Sequence, residues 1–284
     1  MDLMTAESLL RPTATSLLEA WRRVVEAEKE QVESLPNRPR PEDFYAPVAE
    51  SFRADPHRTG DPTLNALLDL ARPDETWIDV GAGAGRYTLA IAMHVARAFA
   101  VEPSGGMRRE LEAGIVEHGV TNLEVYDERW PGPSKAPVAD VAFMSNVGHD
   151  IADIGPFLDQ LERHARRLCV VALFEHAPIA DFAPLWPAVH GGARVLLPGL
   201  RELIALLFAR GSIPEVQLLR FAGRVYTSLE ALQSSARRPI WVLPGSAADE
   251  RLGQAIRQLA VTVPGGVRIG AAERAQGIVT WRPA

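Results

Sequence analysis

Two spacings of apolar residues divide this chain. Over residues 13–35 they recur at helical intervals, with Leu17, Leu18, Trp21, Val24, Val25 and Val32 on one side and Arg22, Arg23, Glu26, Glu28, Lys29 and Glu30 on the other. That helix must stop before Pro36, and residues 37–41 read as an irregular connector. A short apolar-aromatic segment follows, carrying Phe44, Tyr45, Val48, Ala49 and Phe52. Asp61 and Pro62 then open a second helix, Asp as N-cap and Pro in the first turn, with Leu64, Leu67, Leu68 and Leu70 as its apolar positions. From Trp77 the pattern changes. Largely apolar runs at 77–80, 98–101, 122–126, 138–144 and 168–174 alternate with helical stretches at 105–118 and 154–167. Strands with no polar alternate face are buried on both faces, which predicts an α/β fold: a doubly wound, mostly parallel sheet.

The last third is less regular. Residues 181–190 suggest a short helix around Phe182, Leu185 and Trp186, and 200–210 a longer one stopped by Gly211. A sixth strand is expected at 215–221 and a seventh at 277–281. Between them, Thr227 and Glu230 match a capping box, and 246–261 is helical, with Leu252, Ile256 and Leu259 in phase. The expectation is a seven-stranded sheet with an N-terminal helical arm (1–60), a main domain (61–284) and a helical insertion near the C-terminus (about 227–265).

Charge and composition narrow the partners. A formal net charge of -6 disfavours nucleic acid, whose phosphates demand clustered positive charge. Hydrophobic residues at 47% and charged residues at 23% are ordinary for a chain with a sizeable core. The single cysteine, Cys169, cannot form an internal disulfide, and no Cys/His cluster offers a zinc site. Asp150, Asp153 and Glu175 are the right ligand type for a hard cation but match no metal-binding spacing, so no metal is expected. The acidic start of the chain lacks the shape of a signal peptide, and no apolar run is long enough to cross a bilayer. A soluble cytoplasmic protein is the default; a homodimer is compatible with the sequence but not required by it.

The chemistry concentrates after the first apolar run. Trp77 to Val80 leads into Gly81, Gly83 and Gly85, and a helical face follows at Leu89, Ile91, Ala92 and Val95. Strand, glycine turn and helix gather backbone N–H groups and a helix N-terminus at one place, where a ligand can come close to the chain. The spacing is not that of the dinucleotide fingerprint G-x-G-x-x-G: Arg86 stands where its third glycine would fall, and Asp79 precedes the first by two residues. At the end of the next strand Glu102 offers an acceptor-only carboxylate, suited to both hydroxyls of a ribose.

The Asp-x-Gly-x-Gly-x-Gly run from Asp79, with Val-Glu-Pro-Ser-x-x-Met from Val101 to Met107, resembles the nucleotide-binding motifs of the class I S-adenosylmethionine-dependent methyltransferases. The resemblance implies S-adenosylmethionine as cofactor, held by Asp79, Gly81, Gly83, Gly85 and Glu102. It implies an adenine contact at the turn holding Glu128, Arg129 and Trp130, although the usual Gly-Asp pair is replaced by Tyr126-Asp127. Trp130 is then either cofactor wall or core. Arg86, in the first turn of its helix, opposes the helix dipole and calls for an anion such as the methionine carboxylate, unless it simply reaches solvent. Tyr45 either meets the sulfonium end of the ligand or packs the arm onto the sheet. Asn146 either orients a ligand or caps its turn.

His149 stands at the tip of the fourth strand, where a general base would serve a protonated acceptor. The implied activity is methyl transfer to oxygen or nitrogen of a small molecule. Two alternatives stay open: a non-catalytic module that keeps the pocket, and an NAD(P)-dependent oxidoreductase. RNA or protein methylation fits the acidic balance less well, and no Asn-Pro-Pro-Tyr-like tetrapeptide follows the fourth strand. In the resembled fold the last two strands form a hairpin, so the long gap here points to the insertion.

Overall fold

The computed structural model describes residues 11–36, 38, 39 and 42–283. The acidic start of the chain and part of the expected connector (Asn37, Arg40, Pro41) lie outside the described residues. The first helix, α1 (Ala14–Glu33), is capped by the Thr13 hydroxyl and buries Trp21, Val25 and Val32. A 3-10 segment (Ala46–Phe52) follows. Asp61 caps α2 (Pro62–Leu70) by accepting from the N–H groups of Thr63 and Leu64, as its sequence predicts.

The alternating core then runs β1 (Thr76–Val80), α3 (Thr88–Ala92), β2 (Arg97–Val101), α4 (Gly105–His118), β3 (Leu123–Tyr126), β4 (Ala139–Ser145), α5 (Ile154–Arg163) and β5 (Ala165–Phe174). After these come α6 (Trp186–His190), α7 (Leu200–Ala209), β6 (Glu215–Ala222), α8 (Leu229–Arg237), α9 (Ala247–Leu259), a β7–β8 hairpin (Val261–Val263, Gly266–Arg268) and β9 (Glu273–Trp281).

The main sheet has seven strands in the order β3-β2-β1-β4-β5-β9-β6. All its pairings from β3 to β5 are parallel, and β9 runs antiparallel to both β5 and β6. The fold is therefore the doubly wound, mostly parallel one expected. The central strands are buried along nearly their whole length, whereas β6 at the edge is largely exposed.

Alternation along β1 divides the core. Ile78 and Val80 face a cluster with α1, α5 and α7, built on Trp21, Phe157, Leu203 and Leu207. Trp77 faces the opposite cluster, with Leu64, Leu67, Leu89, Leu111 and Phe143. Each such large apolar side chain, fully buried, is worth roughly 1.5–3 kcal/mol relative to leaving it in water. By the same alternation Asp79 shares the face of Trp77, beneath α3.

Several boundaries differ from expectation. Helix α5 stops at Arg163 rather than 167, because β5 starts at Ala165 to pair with Ala139 across an irregularity in the β4 ladder. Helix α3 has only five residues, and Val95 packs from the loop after it, since Ala96 already bonds to the Glu75 carbonyl at the start of the next strand. Strand β9 begins at Glu273, drawn out by its long ladder with β6. Ser228, not Thr227, caps α8 by accepting from the Ala231 N–H, and with Ala231 at N3 the expected capping box with Glu230 does not form.

Between β6 and β9 lie α8, α9 and the small hairpin. Leu232, Ala236, Leu252 and Ile256 from this segment form a third cluster with Phe182, Leu185, Trp186 and Val189, and with Val32 of α1. No described helix is long and apolar enough to cross a membrane.

Candidate functional site

The carboxyl ends of β1, β2 and β4 meet at the glycine turn. The turn is tied to β2 by the N–H groups of Gly81 and Ala82, both donating to the Val101 carbonyl at 2.7 and 3.2 Å. Gly81, Gly83 and Gly85 all take positive φ, at 76°, 57° and 81°. Their neighbours differ. A Cβ on Gly81 would lie 2.4 Å from Val147 Cγ2, and one on Gly85 2.6 Å from Leu111 Cδ1. A Cβ on Gly83 would meet nothing closer than Met107 Sδ at 4.0 Å. Gly81 and Gly85 are thus demanded by the protein's own packing, and Gly83 alone leaves space for something else to approach the backbone.

Glu102, 6% exposed, closes the turn from the side. One carboxylate oxygen accepts from Gly83 N–H at 2.9 Å and the other from Ser104 N–H at 2.8 Å. Each oxygen keeps a lone pair, so the carboxylate is fixed yet still able to accept two further hydrogen bonds. Burial raises its pKa, and the two N–H donors oppose that rise. Arg108 holds the Glu102 carbonyl at 2.8 Å and pairs with Asp127 at 2.7 Å, which locks the tip of β2 to that of β3.

Asp79 lies beneath the turn. One of its oxygens accepts from the Thr88 hydroxyl at 2.5 Å, and the other is buried with no partner among the described residues. Burial pushes its pKa up to about 7; the Thr88 bond opposes the shift and the Glu102 charge adds to it. A half-satisfied buried carboxylate beside a second carboxylate is a site that favours a cation.

The arm seals one side. Asp43 accepts from Gly106 N–H at 2.9 Å, from the Ser104 hydroxyl at 2.8 Å and from the N–H groups of Tyr45 and Ala46 at 3.0 and 3.2 Å. These donors, with Gly106 N–H first, hold its pKa down. A Cβ on Gly106 would lie 2.5 Å from Ala46 Cα, so the arm sits directly on the first turn of α4. Ala49 then packs with Ala84 and Met107.

At the tip of β4, Asn146 takes φ 53° and its side-chain oxygen accepts from Phe174 N–H at 3.3 Å, joining β4 to β5. His149 is 5% exposed. Its Nδ1 lies 2.6 Å from the Pro198 carbonyl; a carbonyl only accepts, so Nδ1 carries the proton and donates. Nε2 is then the lone-pair nitrogen, and it is buried with no partner among the described residues. Desolvation lowers the His149 pKa, although the Pro198 bond and Asp150 work against it, and the ring is neutral near pH 7.

Four expected contacts are not gathered here. Trp130 packs in the core, its ring 4.5 Å from that of His164 and 6.5 Å from that of Phe157. Glu128 is committed to its own loop, accepting from the Ser134 hydroxyl and from Lys135 N–H, each at 2.6 Å. Arg129 is exposed on that loop. Arg86 is not in the first turn of α3, as expected, but precedes its N-cap, Tyr87, so the helix dipole makes no demand on it; it is half-exposed, with Asp61 at 4.0 Å. Asp153 is paired with Arg22 and Glu175 with Arg201. Among the described residues no group of three or more His, Cys, Asp or Glu side chains is placed to hold a metal ion.

Sequence reasoning missed Asp43, Thr88 and Val147. Thr88 was findable: it lies one helical turn past the glycines, on the face of Asp79. Asp43 and Val147 reach the turn only through tertiary packing and carry no local signal.

The sequence matches no protein-family model and no curated protein. Solved structures do match. A putative methyltransferase of Bacillus halodurans superposes with a TM-score of 0.54 at 12% identity, covering 79% of this chain and 99% of that one. An S-adenosylmethionine-dependent methyltransferase of Geobacter sulfurreducens, in complex with S-adenosyl-L-homocysteine, gives 0.54 at 15% identity, over 86% of this chain and 99% of that one. Coclaurine N-methyltransferase, bound to N-methylheliamine and S-adenosyl-L-homocysteine, gives 0.51 at 13% identity, over 98% and 91%. The likeness establishes the fold: this chain has the class I, Rossmann-like methyltransferase fold.

Proposed function

We propose that this chain is an S-adenosylmethionine-dependent methyltransferase acting on oxygen or nitrogen of a small molecule. Glu102 carries the reading. Both of its oxygens are oriented by backbone N–H groups, at 2.9 and 2.8 Å, and both retain acceptor capacity beside the open approach at Gly83. That is the arrangement a ribose diol requires, and the orphaned Asp79 oxygen below it suits a neighbouring positive charge. The residues present therefore fit the cofactor. The S-adenosyl-L-homocysteine bound in two of the matching structures supports the same assignment.

When bound, S-adenosylmethionine supplies an electrophilic methyl group on a sulfonium. The chain's own contribution is positioning and exclusion of water, which can account for much of the acceleration of an in-line displacement. Glu102 binds the sugar, Asp79 favours the cationic end, and the arm held by Asp43 covers the turn. His149 is the base for a protonated acceptor, receiving its proton at Nε2, with Nδ1 anchored on Pro198 to fix the tautomer.

Titration calorimetry on the full chain with S-adenosylmethionine, S-adenosylhomocysteine, NAD and NADP tests the cofactor. Binding of the first two alone is expected; preference for either nicotinamide would refute the assignment. Transfer of a labelled methyl group into small-molecule extract separates an enzyme from a module that only binds.

A further inference from the structure

The arm reaches two ways. Asp43 and Ala46 lie on the first turn of α4, beside Glu102, while Phe44 and Tyr45 face the segment after α8. There the Arg238 guanidinium stacks on Phe44, 3.7 Å from the ring centroid, and lies 5.1 Å from that of Tyr45. Trp241, at φ 57°, closes the group with its ring 5.1 Å from that of Phe44, and Arg38 lies 5.6 Å from the Trp241 ring on the other side.

Arg238 is incompletely used. Its Nη2 donates to the Phe44 carbonyl at 3.0 Å, and its Nε is buried without a partner. Its neighbour Arg237 is fully engaged by Asp249 at 2.9 and 3.1 Å. Among the described residues no carboxylate forms an ion pair with Arg238 or with Arg38. Burial pulls the Arg238 guanidinium below its ordinary value, and Tyr45 beside it, its own pKa pushed up to about 12, is a neutral phenol and no counter-charge. A partly desolvated guanidinium with free donors and no counter-charge is an anion site in waiting.

Its place relative to the cofactor pocket gives it a role. One end of the arm is bonded through Asp43 to Ser104 and Gly106, and the Ser104 N–H in turn holds Glu102. The adjoining Phe44 and Tyr45 carry the Arg238 guanidinium, so the arm joins the acidic glycine turn to a cationic group at the end of α8. Building on the methyltransferase reading, we propose that the methyl acceptor carries a carboxylate and that Arg238 receives it. Phe44, Tyr45 and Trp241 line this subsite, and Arg38 strengthens its positive field. The carboxylates at the glycine turn, Asp79 and Glu102, repel the same carboxylate, so the acceptor enters in one orientation, its reacting atom toward the turn.

The test uses the full chain saturated with S-adenosylhomocysteine and ligand-observed NMR with matched probes: benzoate, phenylacetate and indole-3-acetate against their carboxamides. The carboxylates are expected to bind at least tenfold more tightly than the amides. Arg238→Gln, which keeps a donor for the Phe44 carbonyl, should erase that preference while S-adenosylhomocysteine affinity stays within threefold; Arg238→Lys should keep part of it. Equal binding of acids and amides, absence of binding by both, or a preference that survives Arg238→Gln would overturn the proposal. Should S-adenosylhomocysteine not bind, the methyltransferase reading fails by itself. The same panel run on the free chain then still decides whether Arg238 is a carboxylate site.

Discussion

Asp79 and Thr88 are joined by a 2.5 Å hydrogen bond that staples the strand before the glycine turn to the helix after it. The bond satisfies only one carboxylate oxygen, and burial holds the group near pKa 7 rather than in the ordinary carboxylate range. Because the folded-state pKa is raised, the protonated form is the one folding favours. That stabilisation is complete below about pH 4 and is lost as pH rises through about 7. A bound cation reverses the preference by favouring the ionised form. Cofactor affinity should therefore climb between pH 6 and 8, and Asp79→Asn should weaken binding by about tenfold or more while flattening that climb. The same variant should melt several degrees higher than the wild type at pH 8 in the absence of cofactor. Calorimetry across that pH range and thermal denaturation read both effects; a wild-type affinity independent of pH would remove Asp79 from the site.

Glu102→Ala should cost more than tenfold in S-adenosylhomocysteine affinity, since two charge-assisted hydrogen bonds to a diol are lost, each worth about 1.5–3 kcal/mol. Glu102→Gln keeps one acceptor and should fall between. Unchanged affinity in the alanine variant would exclude a ribose contact.

The glycines make separable predictions. Gly81→Ala forces a Cβ to 2.4 Å from Val147 and should destabilise the fold by about 1–3 kcal/mol. Val147→Ala in the same chain should restore part of that, giving a coupling energy of about 0.5 kcal/mol or more in a denaturant double-mutant cycle. Gly83→Ala, with no such neighbour, should lose only about 1–2 kcal/mol to its left-handed backbone but should weaken cofactor binding at least as much as the Gly81 variant. Additive effects of Gly81→Ala and Val147→Ala would show that the close approach is not what requires glycine.

Asp43→Ala removes the acceptor for three N–H groups and a hydroxyl at the join of arm and α4. Hydrogen exchange across residues 42–52 should accelerate, and the cofactor should dissociate faster, with little change in the exchange of β1 or β4. The depressed Asp43 pKa gives the join a pH sense: its stabilisation is present above the ordinary aspartate pKa and fades as pH falls below it. Exchange rates identical to wild type would mean the arm is held by other contacts.

His149→Asn keeps a donor for the Pro198 carbonyl and deletes the basic nitrogen. For an acceptor that must lose a proton, methyl transfer should fall by about 100-fold or more with cofactor affinity intact. Wild-type activity should decline as pH drops through a value below the ordinary histidine pKa, where Nε2 becomes protonated. Near-normal turnover by the variant would assign His149 to packing.

The glycine turn, Asp79 and Glu102 were legible in the sequence because strand, turn and helix are contiguous, and their side chains act where the chain itself puts them. The turn after β3 was harder to read for the opposite reason. Glu128 and Trp130 sit at the right distance along the chain, but Trp130 follows the apolar demand of Phe157 and His164, and Glu128 satisfies its own loop. Arg238 was invisible: beside Arg237 it reads as the solvated end of a helix. Only the return of the arm across residues 194 positions distant makes the two arginines unequal.

Strand β9 lies between β5 and β6 and is β6's hydrogen-bonding neighbour in the sheet. During synthesis β6 therefore leaves the ribosome well before the strand it must pair with, and the Arg238 segment emerges in the interval. Until β9 is made, the inner edge of β5 stays unsatisfied and open to pairing with another chain. Loss of residues 273–281 would accordingly do more than shorten the protein: it would leave a sheet edge prone to aggregation.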